Sequence, residues 1–379
     1  MEAEAARRIL IVAGEASGDR HAARLVQALR ALGNVRTRGV VGPALEAQGV
    51  EPIARAEVLS IVGFTGVLAR LPRILELRRR LFADVERFRP EVAILVDSPG
   101  FNFRIGPELH RRGVRVFYYI APQVWAWHAE RARQMRTWVD RLAVVFPFEE
   151  ELFRRAGVDA HFVGHPLAED EGQETTVEGL RAALGFPGAR RIVGLLPGSR
   201  PGELRAHLRV MIEAGLSLCA GRPDLVVAVG VAPGLERAAR AALPGDHVPV
   251  RALTGITRAL EAHATCCVVA SGTATLETAW FGTPHAIVYR TGWLNYAIAR
   301  RVVRLERIGL PNIVAGEEVA PELLQDACTA PAIARTLERW LDDPVAAAAQ
   351  RARLALVRAR LGGPGAARRA AELAWDLLP

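Results

Sequence analysis

The sequence contains no lysine, so arginine alone carries its positive charge: all 49 basic residues are arginine, against 41 acidic residues. The net charge of +8 favours an acidic partner, which could be a nucleotide, a phospholipid surface or a nucleic acid. Only four cysteines occur, and their spacing matches neither a CxxC nor a metal motif. This usage is typical of reduced cytosolic thiols.

Long apolar runs are also missing. No uninterrupted stretch approaches the length of a membrane span, and the run Ile9–Ala13 is too short for the core of a secretory signal. We therefore expect a protein that is soluble or lies on a membrane surface. A length of 379 residues, with 50% hydrophobic and 24% charged residues, is an ordinary globular balance and is sufficient for two or three domains.

The segment 266–284 is the most informative part of the chain. Cys266–Ala270 is a short apolar run that predicts a buried parallel strand, and a helix should follow with Thr273 or Thr275 as its cap. The small residues Ser271 and Gly272 between them would leave backbone N–H groups at the positive end of the helix dipole, a seat for a phosphate. Glu277 could accept hydrogen bonds from sugar hydroxyls. An ordinary capped helix of an α/β sheet is the alternative.

The chain begins with the same pattern. A strand at 8–13 leads through a loop into a helix predicted at His21–Leu32, whose inner face would be formed by Ala22, Leu25, Val26 and Leu29. The loop lacks the GxGxxG fingerprint of dinucleotide binding. Its acidic residues Glu15 and Asp19 would repel a phosphate and fit sugar hydroxyls better, although Asp19 could simply cap the helix.

Asp97 follows the predicted buried strand 91–96. Because ligands of open α/β sheets bind beyond the carboxyl ends of strands, Asp97 is a candidate functional acid, with helix capping as the alternative. Trp125 and Trp127 leave another strand end together with His128, which indicates a cleft lining more than a core; His128 is a weak candidate for a catalyst.

The second half repeats this architecture. A strand beginning at Arg191 leads into a Gly/Ser loop with Arg200 at a helix start, where a guanidinium would add a charge-assisted donor to the anion seat. The irregular segment around Asn312 offers an amide that could pair with a base or ribose. The stretch 169–176 is predicted to be a linker.

Seven motifs, in order along the chain, closely resemble those of lipid-A-disaccharide synthases: AGEASGD at 13–19, DSPGFN at 97–102, PQVWAW at 122–127, VGHP at 163–166, LPGSR at 196–200, SGTATLE at 271–277 and LPNIVAG at 310–316. The resemblance implies an α/β protein of the GT-B class, with two Rossmann-like domains facing across a cleft. Residues 1–170 would form the acceptor and membrane-side domain, completed by C-terminal helices at about 345–379 that cross back to it. Residues 185–344 would bind the UDP-sugar.

The activity implied is an inverting transfer of 2,3-diacylglucosamine from its UDP derivative to 2,3-diacylglucosamine 1-phosphate, with release of UDP. Asp97 would be the base, and no cofactor, metal or nucleic acid is implied. The matching UDP-sugar residues are Gly198, Ser199, Arg200, Ser271, Gly272, Thr273, Thr275, Glu277 and Asn312. The matching acceptor or cleft residues are Glu15, Ser17, Asp19, Asn102, Trp125 and Trp127.

The chain departs from the family pattern at Gly100, where members often carry a second aspartate, so whether a second carboxylate assists Asp97 stays open. No Asp-x-Asp metal signature occurs in the sequence, and Arg200 with the helix dipole would replace a divalent cation. Alternatives are another GT-B UDP-sugar transferase, a UDP-sugar epimerase of the same fold, and a non-catalytic nucleotide-binding module that would not need Asp97.

The acylated substrates implied by the resemblance place the chain at the cytoplasmic face of the inner membrane, as a peripheral protein on an anionic surface. The segment 61–71 is apolar apart from Arg70, and its membrane-docking residues would be Phe64, Val67, Leu68 and Leu71. A helix predicted from Pro72 to about Phe88 would follow, with its arginines at 73 and 78–80 outward. Packing of the segment under the sheet is the alternative.

Overall fold

The computed structural model describes residues 6–58, 66–124, 129–169, 176–186, 188–245, 248–292 and 307–379, with the backbone only at 58, 66–71 and 129. The chain forms two compact units. The first comprises Met1–Glu169 and Leu361–Pro379, and the second comprises Asp170–Arg360.

The first unit is built on a parallel sheet whose strand order is β3-β2-β1-β4-β5-β6-β7. The strands are β1 (Arg7–Ala13), β2 (Val35–Val41), β3 (Glu51–Arg55), β4 (Val92–Val96), β5 (Arg115–Tyr119), β6 (Arg141–Val144) and β7 (Ala160–Phe162). Its helices are α1 (Ala16–Leu32), α2 (Pro43–Ala47), α3 (Gly66–Phe88), α4 (Pro99–Arg111), α5 (Ala129–Met135) and α6 (Pro147–Arg155), followed from the chain's end by α15 (Ala366–Trp375).

The second unit repeats the design with a parallel sheet of order β10-β9-β8-β11-β12-β13. Its strands are β8 (Arg191–Leu196), β9 (Leu225–Val231), β10 (Val250–Thr254), β11 (Cys266–Ala270), β12 (His285–Tyr289) and β13 (Glu322–Leu324). Its helices are α7 (Val177–Leu184), α8 (Pro201–Cys219), α9 (Glu236–Arg240), α10 (Thr257–His263), α11 (Thr273–Trp280), α12 (Leu310–Ala315), α13 (Ala330–Asp342) and α14 (Pro344–Arg360).

The central strands of both sheets are continuous apolar runs of the sequence. Every residue of β4, β9 and β11 is buried, as expected where helices cover both faces of a parallel sheet. The predicted strand Cys266–Ala270 is confirmed at both ends. The predicted inner face of α1 is also confirmed, since all four of its predicted apolar residues are buried, although the helix begins at Ala16 rather than at His21. The predicted α/β class with two Rossmann-like units is therefore correct.

The strand orders place two topological switch points. In the first sheet the order reverses between β1 and β4, and in the second between β8 and β11. Ligands of open parallel sheets bind beyond the carboxyl ends of the strands at such points. The loops that follow these four strands begin at Gly14, Asp97, Pro197 and Ser271, and each carries residues that the sequence marks as functional.

The predicted start of helix α3 was also wrong. Helix α3 begins at Gly66, with Pro72 inside it, although the predicted end at Phe88 is confirmed. Its buried residues include Ile74, Leu77 and Leu81, and its arginines at 73 and 78–80 are exposed, as predicted. Of the membrane-docking residues, Phe64 and the side chains of Val67, Leu68 and Leu71 lie outside what the structure describes.

The C-terminal helices, predicted at about 345–379, are divided between the two units. Helix α14 packs against α11, α12 and α13 of the second unit, where Gln350 donates hydrogen bonds to the carbonyls of His285 and Val319 at 3.0 and 3.1 Å. Only α15 returns to the first unit, where it packs against α1. In the described ranges, no helix combines the length and apolarity needed to cross a membrane.

Candidate active site

Asp97, directly after β4, lies at the switch point of the first sheet and has an unusual backbone conformation. Its φ is 46° and that of Ser98 is 42°, so two successive residues with side chains occupy the left-handed region. The carbonyl oxygen of Asp97 accepts hydrogen bonds from the Tyr118 hydroxyl at 2.5 Å and from Asn102 Nδ2 at 2.7 Å. Backbone strain of this kind persists only where surrounding contacts hold it, and it clusters at functional sites.

The carboxyl group of Asp97 is partly buried, and its surroundings favour the neutral form. Its pKa rises from the ordinary 3.8 to about 6, first because of burial and then because of the charge of Glu15, while a backbone hydrogen bond from Ser98 opposes the rise. Glu15 follows β1, the strand that pairs with β4. A carboxylate whose pKa approaches neutrality is suited to general base catalysis near pH 7.

The predicted acceptor residues of the first loop differ in exposure. Glu15 and Ser17 are exposed at the start of α1. Asp19 is 3% exposed, and its carboxylate accepts hydrogen bonds at 2.8–3.2 Å from three backbone N–H groups around the start of α2, those of Gly42, Ala44 and Leu45. These bonds use the lone pairs that sugar hydroxyls would need. Asp19 therefore caps the next helix in the chain, a role closer to the capping alternative than to sugar binding.

Asn102 is likewise a structural residue rather than part of a cleft surface. Its side chain is fully buried, and Nδ2 donates to the carbonyls of Val96 at 3.3 Å and Asp97 at 2.7 Å. These bonds connect Asn102 to the backbone turn of Asp97. Trp125 and Trp127, the other predicted cleft residues, lie outside the described residues.

In the loop after β8, the carboxylate of Glu203 lies where the sequence predicted a bound anion. Glu203 Oε2 accepts hydrogen bonds from the N–H groups of Ser199 at 3.0 Å and Arg200 at 3.2 Å. Gly198 has a φ of 104°, and a Cβ at this position would lie 2.5 Å from the same oxygen. The Glu203 carboxylate thus occupies the backbone N–H groups that were predicted to bind an anion. The Arg200 side chain is 81% exposed and pairs with Glu203 Oε1 at 3.1 Å.

Helix α11 begins at Thr273, with Gly272 as its N-cap and no side-chain capping bond, so the predicted threonine cap was wrong. The Thr275 hydroxyl is buried and donates to the Gly272 carbonyl at 2.7 Å, and the Ser271 hydroxyl donates to Ile308 at 3.2 Å. Gly272 and Thr273 are exposed at the end of the strand. The first turn of this helix therefore presents its positive end at the switch point.

Glu277 lies half-buried on α11 beside Glu261 of α10, which is 2% exposed. Burial, and then the charge of Glu277, holds the pKa of Glu261 well above its usual range. The raised pKa favours the protonated form of Glu261, whose side chain hydrogen-bonds that of Glu277. Glu261 gives no signal in the sequence, because a glutamate on a short helix looks like an ordinary surface residue.

Asn312 is fully buried within its own loop. Its Nδ2 donates to the Ala320 carbonyl at 2.7 Å and to Glu322 Oε1 at 2.8 Å, and its Oδ1 accepts from the N–H groups of Val319 at 2.8 Å and Ala320 at 2.9 Å. Both N–H donors and both oxygen lone pairs of the amide are used in this way. In this geometry the Asn312 amide is bonded entirely to residues 319–322 of the same chain. A role for it in pairing with a base or ribose stays a prediction.

His207 of α8 is a buried residue that no sequence pattern marks as functional. Its Nε2 accepts a hydrogen bond from the Arg290 N–H at 2.9 Å, and its Nδ1 donates to the Pro197 carbonyl at 3.1 Å. Burial lowers its pKa, which keeps the ring neutral and consistent with one donor and one acceptor. His207 thereby joins the loop after β8 to the residue that follows β12.

This chain is similar to known proteins in both sequence and fold. A family model described as lipid-A-disaccharide synthetase matches residues 9–370. The lipid-A-disaccharide synthase of Anaeromyxobacter dehalogenans (strain 2CP-C) is 44% identical over 368 residues, which make up 96% of this chain and 96% of that protein.

Two solved structures share the fold at low sequence identity. One is the glycotransferase of kitacinnamycin, with a TM-score of 0.64 and 16% identity over 99% of this chain and 100% of that chain. The other is UDP-GlcNAc 2-epimerase from Neisseria meningitidis, with a TM-score of 0.65 and 11% identity over 97% and 100% of the two chains. These likenesses support a GT-B fold. The family match, which covers nearly the whole sequence, shows that this chain belongs to the lipid-A-disaccharide synthases, which are glycosyltransferases.

Proposed function

We propose that this glycosyltransferase moves 2,3-diacylglucosamine from its UDP derivative to 2,3-diacylglucosamine 1-phosphate, with inversion at the anomeric carbon. The observation that carries the proposal is the carboxyl group of Asp97, which lies at a switch point with a pKa of about 6. In the proposed step Asp97 takes the proton of an acceptor hydroxyl. The hydroxyl oxygen bonds to the anomeric carbon, and the bond to UDP breaks with its electron pair leaving on the diphosphate.

In this proposal the second unit binds the UDP-sugar donor. Departing UDP gains negative charge, which positive groups must stabilise. The exposed guanidinium of Arg200 and the open first turn of α11 at Thr273 suit that role. The N–H groups of Ser199 and Arg200 would serve it only if Glu203 moved away from them. Glu277 is proposed as an acceptor for donor hydroxyls.

Mass spectrometry of the products tests the proposed reaction directly. After incubation with UDP-2,3-diacylglucosamine and 2,3-diacylglucosamine 1-phosphate, a disaccharide 1-phosphate and UDP should accumulate in equal amounts, and NMR of the new linkage should show inversion. An epimerised UDP-sugar without disaccharide, or UDP binding without turnover, would contradict the proposal.

The rate should depend on the ionisation of Asp97. Because only the deprotonated carboxylate can accept the proton, kcat/KM should fall tenfold per pH unit below about pH 6 and level off above it. Glu15→Gln removes the charge that raises this pKa, so the acid limb of the pH profile should move to lower pH. If the acid limb does not move, the charge of Glu15 does not raise the pKa of the base.

Arg200→Ala should weaken UDP binding by about 1.5–3 kcal/mol, roughly 10- to 150-fold, because a charge-assisted hydrogen bond to the diphosphate is lost. Arg209→Ala is the matched control, since Arg209 is an exposed arginine of the same helix that pairs with Glu213 at 3.0 Å. Calorimetry should show normal affinity for the control, and turnover should survive excess EDTA. Equal UDP affinity for both variants, or activity lost with the chelator, would overturn this assignment of the donor site.

The substrates are acylated, so we also propose that the protein docks peripherally on the anionic cytoplasmic face of the inner membrane. The segment 61–71 would insert, while the exposed arginines at 73 and 78–80 contact lipid headgroups, each adding about 1 kcal/mol. Two of these arginines pair with Glu76 at 2.8 Å, which reduces the charge they offer.

The docking proposal predicts sedimentation with anionic vesicles at low salt and release at high salt. Changing Phe64, Val67 and Leu68 together to serine should reduce vesicle binding with almost no change in Tm. Val345→Ser is the control, because Val345 is 77% exposed in the second unit and should leave vesicle binding unchanged. A large drop in the Tm of the triple variant would place the segment in the core and end the docking proposal.

A further inference from the structure

The backbone turn at Asp97 needs interactions that stabilise its conformation. Asp97 and Ser98 both occupy the left-handed region, with φ values of 46° and 42°, and neither is a glycine. A single residue with a side chain in this region is uncommon, and two in succession would relax to an extended or helical conformation without restraint. Relaxation would turn the Asp97 side chain away from its position beside the Glu15 loop.

Two buried side chains supply the restraint. The hydroxyl of Tyr118 and Nδ2 of Asn102 both donate to the carbonyl oxygen of Asp97, at 2.5 and 2.7 Å. Together they satisfy both lone pairs of that oxygen, and Nδ2 also reaches the Val96 carbonyl at 3.3 Å. The N–H of Asp97 is bonded to the Tyr119 carbonyl at 3.0 Å, so both backbone polar groups of Asp97 are fixed.

The two donors are themselves buried. Tyr118 and Asn102 are fully buried, and the Tyr118 ring packs edge-on against Trp138 at 6.1 Å between centroids. Burial, and then the charge of Asp97, raises the pKa of Tyr118 above its ordinary value, so its hydroxyl stays a donor throughout the working pH range. Neither side chain hydrogen-bonds the Asp97 carboxyl group; both act on the backbone.

We propose that Tyr118 and Asn102 are positioning residues that hold the left-handed turn of Asp97 and so keep its carboxyl group aimed for proton transfer. The catalytic part of this inference rests on the function proposed for Asp97. The alternative is that the two residues only stabilise the fold, in which case their removal would lower Tm without a specific effect on Asp97.

Tyr118→Phe tests the inference with little change in packing, because it removes only the hydroxyl. We expect kcat to fall about tenfold with KM within twofold, since substrate binding does not involve the Asp97 carbonyl. Tyr119→Phe is the matched control: Tyr119 is its neighbour on β5, is equally buried, and has a hydroxyl without a hydrogen-bond partner among the described residues. This control should leave kcat unchanged. Asn102→Ser should resemble Tyr118→Phe.

Combination with Asp97→Asn separates positioning from general destabilisation. If Tyr118 acts through Asp97, Tyr118→Phe should cause no further loss of kcat in the Asp97→Asn background. The same tenfold loss in both backgrounds would show that Tyr118 acts elsewhere and would overturn the inference.

Ser98→Gly provides a rescue, because glycine adopts a positive φ without steric cost. Added to Tyr118→Phe, it should recover part of the lost kcat, since the turn then needs less restraint. If Tyr118→Phe lowers kcat and Ser98→Gly restores none of it, the restraint of the turn is not the cause.

A measurement that needs no turnover keeps this inference separate from the proposed reaction. The pKa of Asp97 can be followed by carbon-13 NMR in aspartate-labelled protein, with Asp97→Asn identifying the signal. Tyr118→Phe should lower that pKa by about one unit from about 6, because the released carboxyl group gains solvent, and Tyr119→Phe should not. An unchanged pKa in Tyr118→Phe would overturn the positioning role even in an active enzyme. A shifted pKa in an enzyme without transferase activity would support it while refuting the proposed function.

Discussion

Replacing Asp97 with asparagine is expected to lower kcat by roughly 10²–10⁴-fold, the usual contribution of a general base. The exchange is nearly isosteric, and the backbone bonds that hold the turn come from Tyr118 and Asn102 rather than from the carboxyl group. Folding and UDP affinity should therefore persist. Turnover should be measured with both acylated substrates, and UDP affinity by calorimetry on the same preparation.

The same variant should be more stable than the wild type at neutral and higher pH. The folded-state pKa of Asp97, about 6, lies above the ordinary 3.8, so the ionised carboxylate opposes folding. The favourable contribution of the protonated group is fully present below pH 4 and is lost as pH rises through 6. Asp97→Asn should therefore gain about 1–3 kcal/mol of unfolding free energy at pH 8 and almost nothing at pH 4.

Denaturant titrations at pH 4, 6 and 8 check this pattern. Increased stability together with lost activity is the signature of a group placed for chemistry at a cost to the fold. If Asp97→Asn instead melts early at every pH and turns over normally when cold, Asp97 is architectural and the base lies elsewhere in the chain.

The sequence predicted the positions of the functional loops because those positions follow from local patterns. Apolar runs such as Cys266–Ala270 define buried strands, and small residues after them mark the strand ends. In a parallel sheet those ends share one edge, so a linear pattern was enough to place Asp97 and Ser271 at the carboxyl ends of strands. The strand order that makes these two positions switch points is a property of the structure that no local pattern predicts.

What the sequence did not predict is which polar groups satisfy one another. Asp19 bonds to a turn 23 residues away, and Glu203 folds back onto the loop that precedes its own helix. Asp19 looked available for a ligand, and Gly198, Ser199 and Arg200 looked open to an anion, because residue type alone does not show whether a polar group is already used. Tyr118 and His207 were missed for the complementary reason, since a polar side chain within an apolar strand or helix gives no local sign of its partner.

Asn312 is another polar residue whose hydrogen-bond partners the sequence did not predict. Asn312→Ala is expected to lower the unfolding free energy by about 3–5 kcal/mol, because two buried backbone N–H groups, a carbonyl and the carboxylate of Glu322 lose a partner together. The loss is a large part of the stability of an ordinary domain. Activity should disappear with the fold of the second unit, which thermal and denaturant unfolding will report.

An exchange of donor and acceptor distinguishes this structural role from ligand binding. Asn312→Asp alone should also destabilise, because it sets an oxygen against Glu322 Oε1 at the 2.8 Å contact. Adding Glu322→Gln restores a donor to that contact, so the double variant should regain part of the unfolding free energy that Asn312→Asp loses. A ligand-binding asparagine would respond differently: Asn312→Ala would keep its Tm and bind UDP more weakly. That result would return Asn312 to the donor site, and we expect the opposite because every bond its amide makes here is to its own loop.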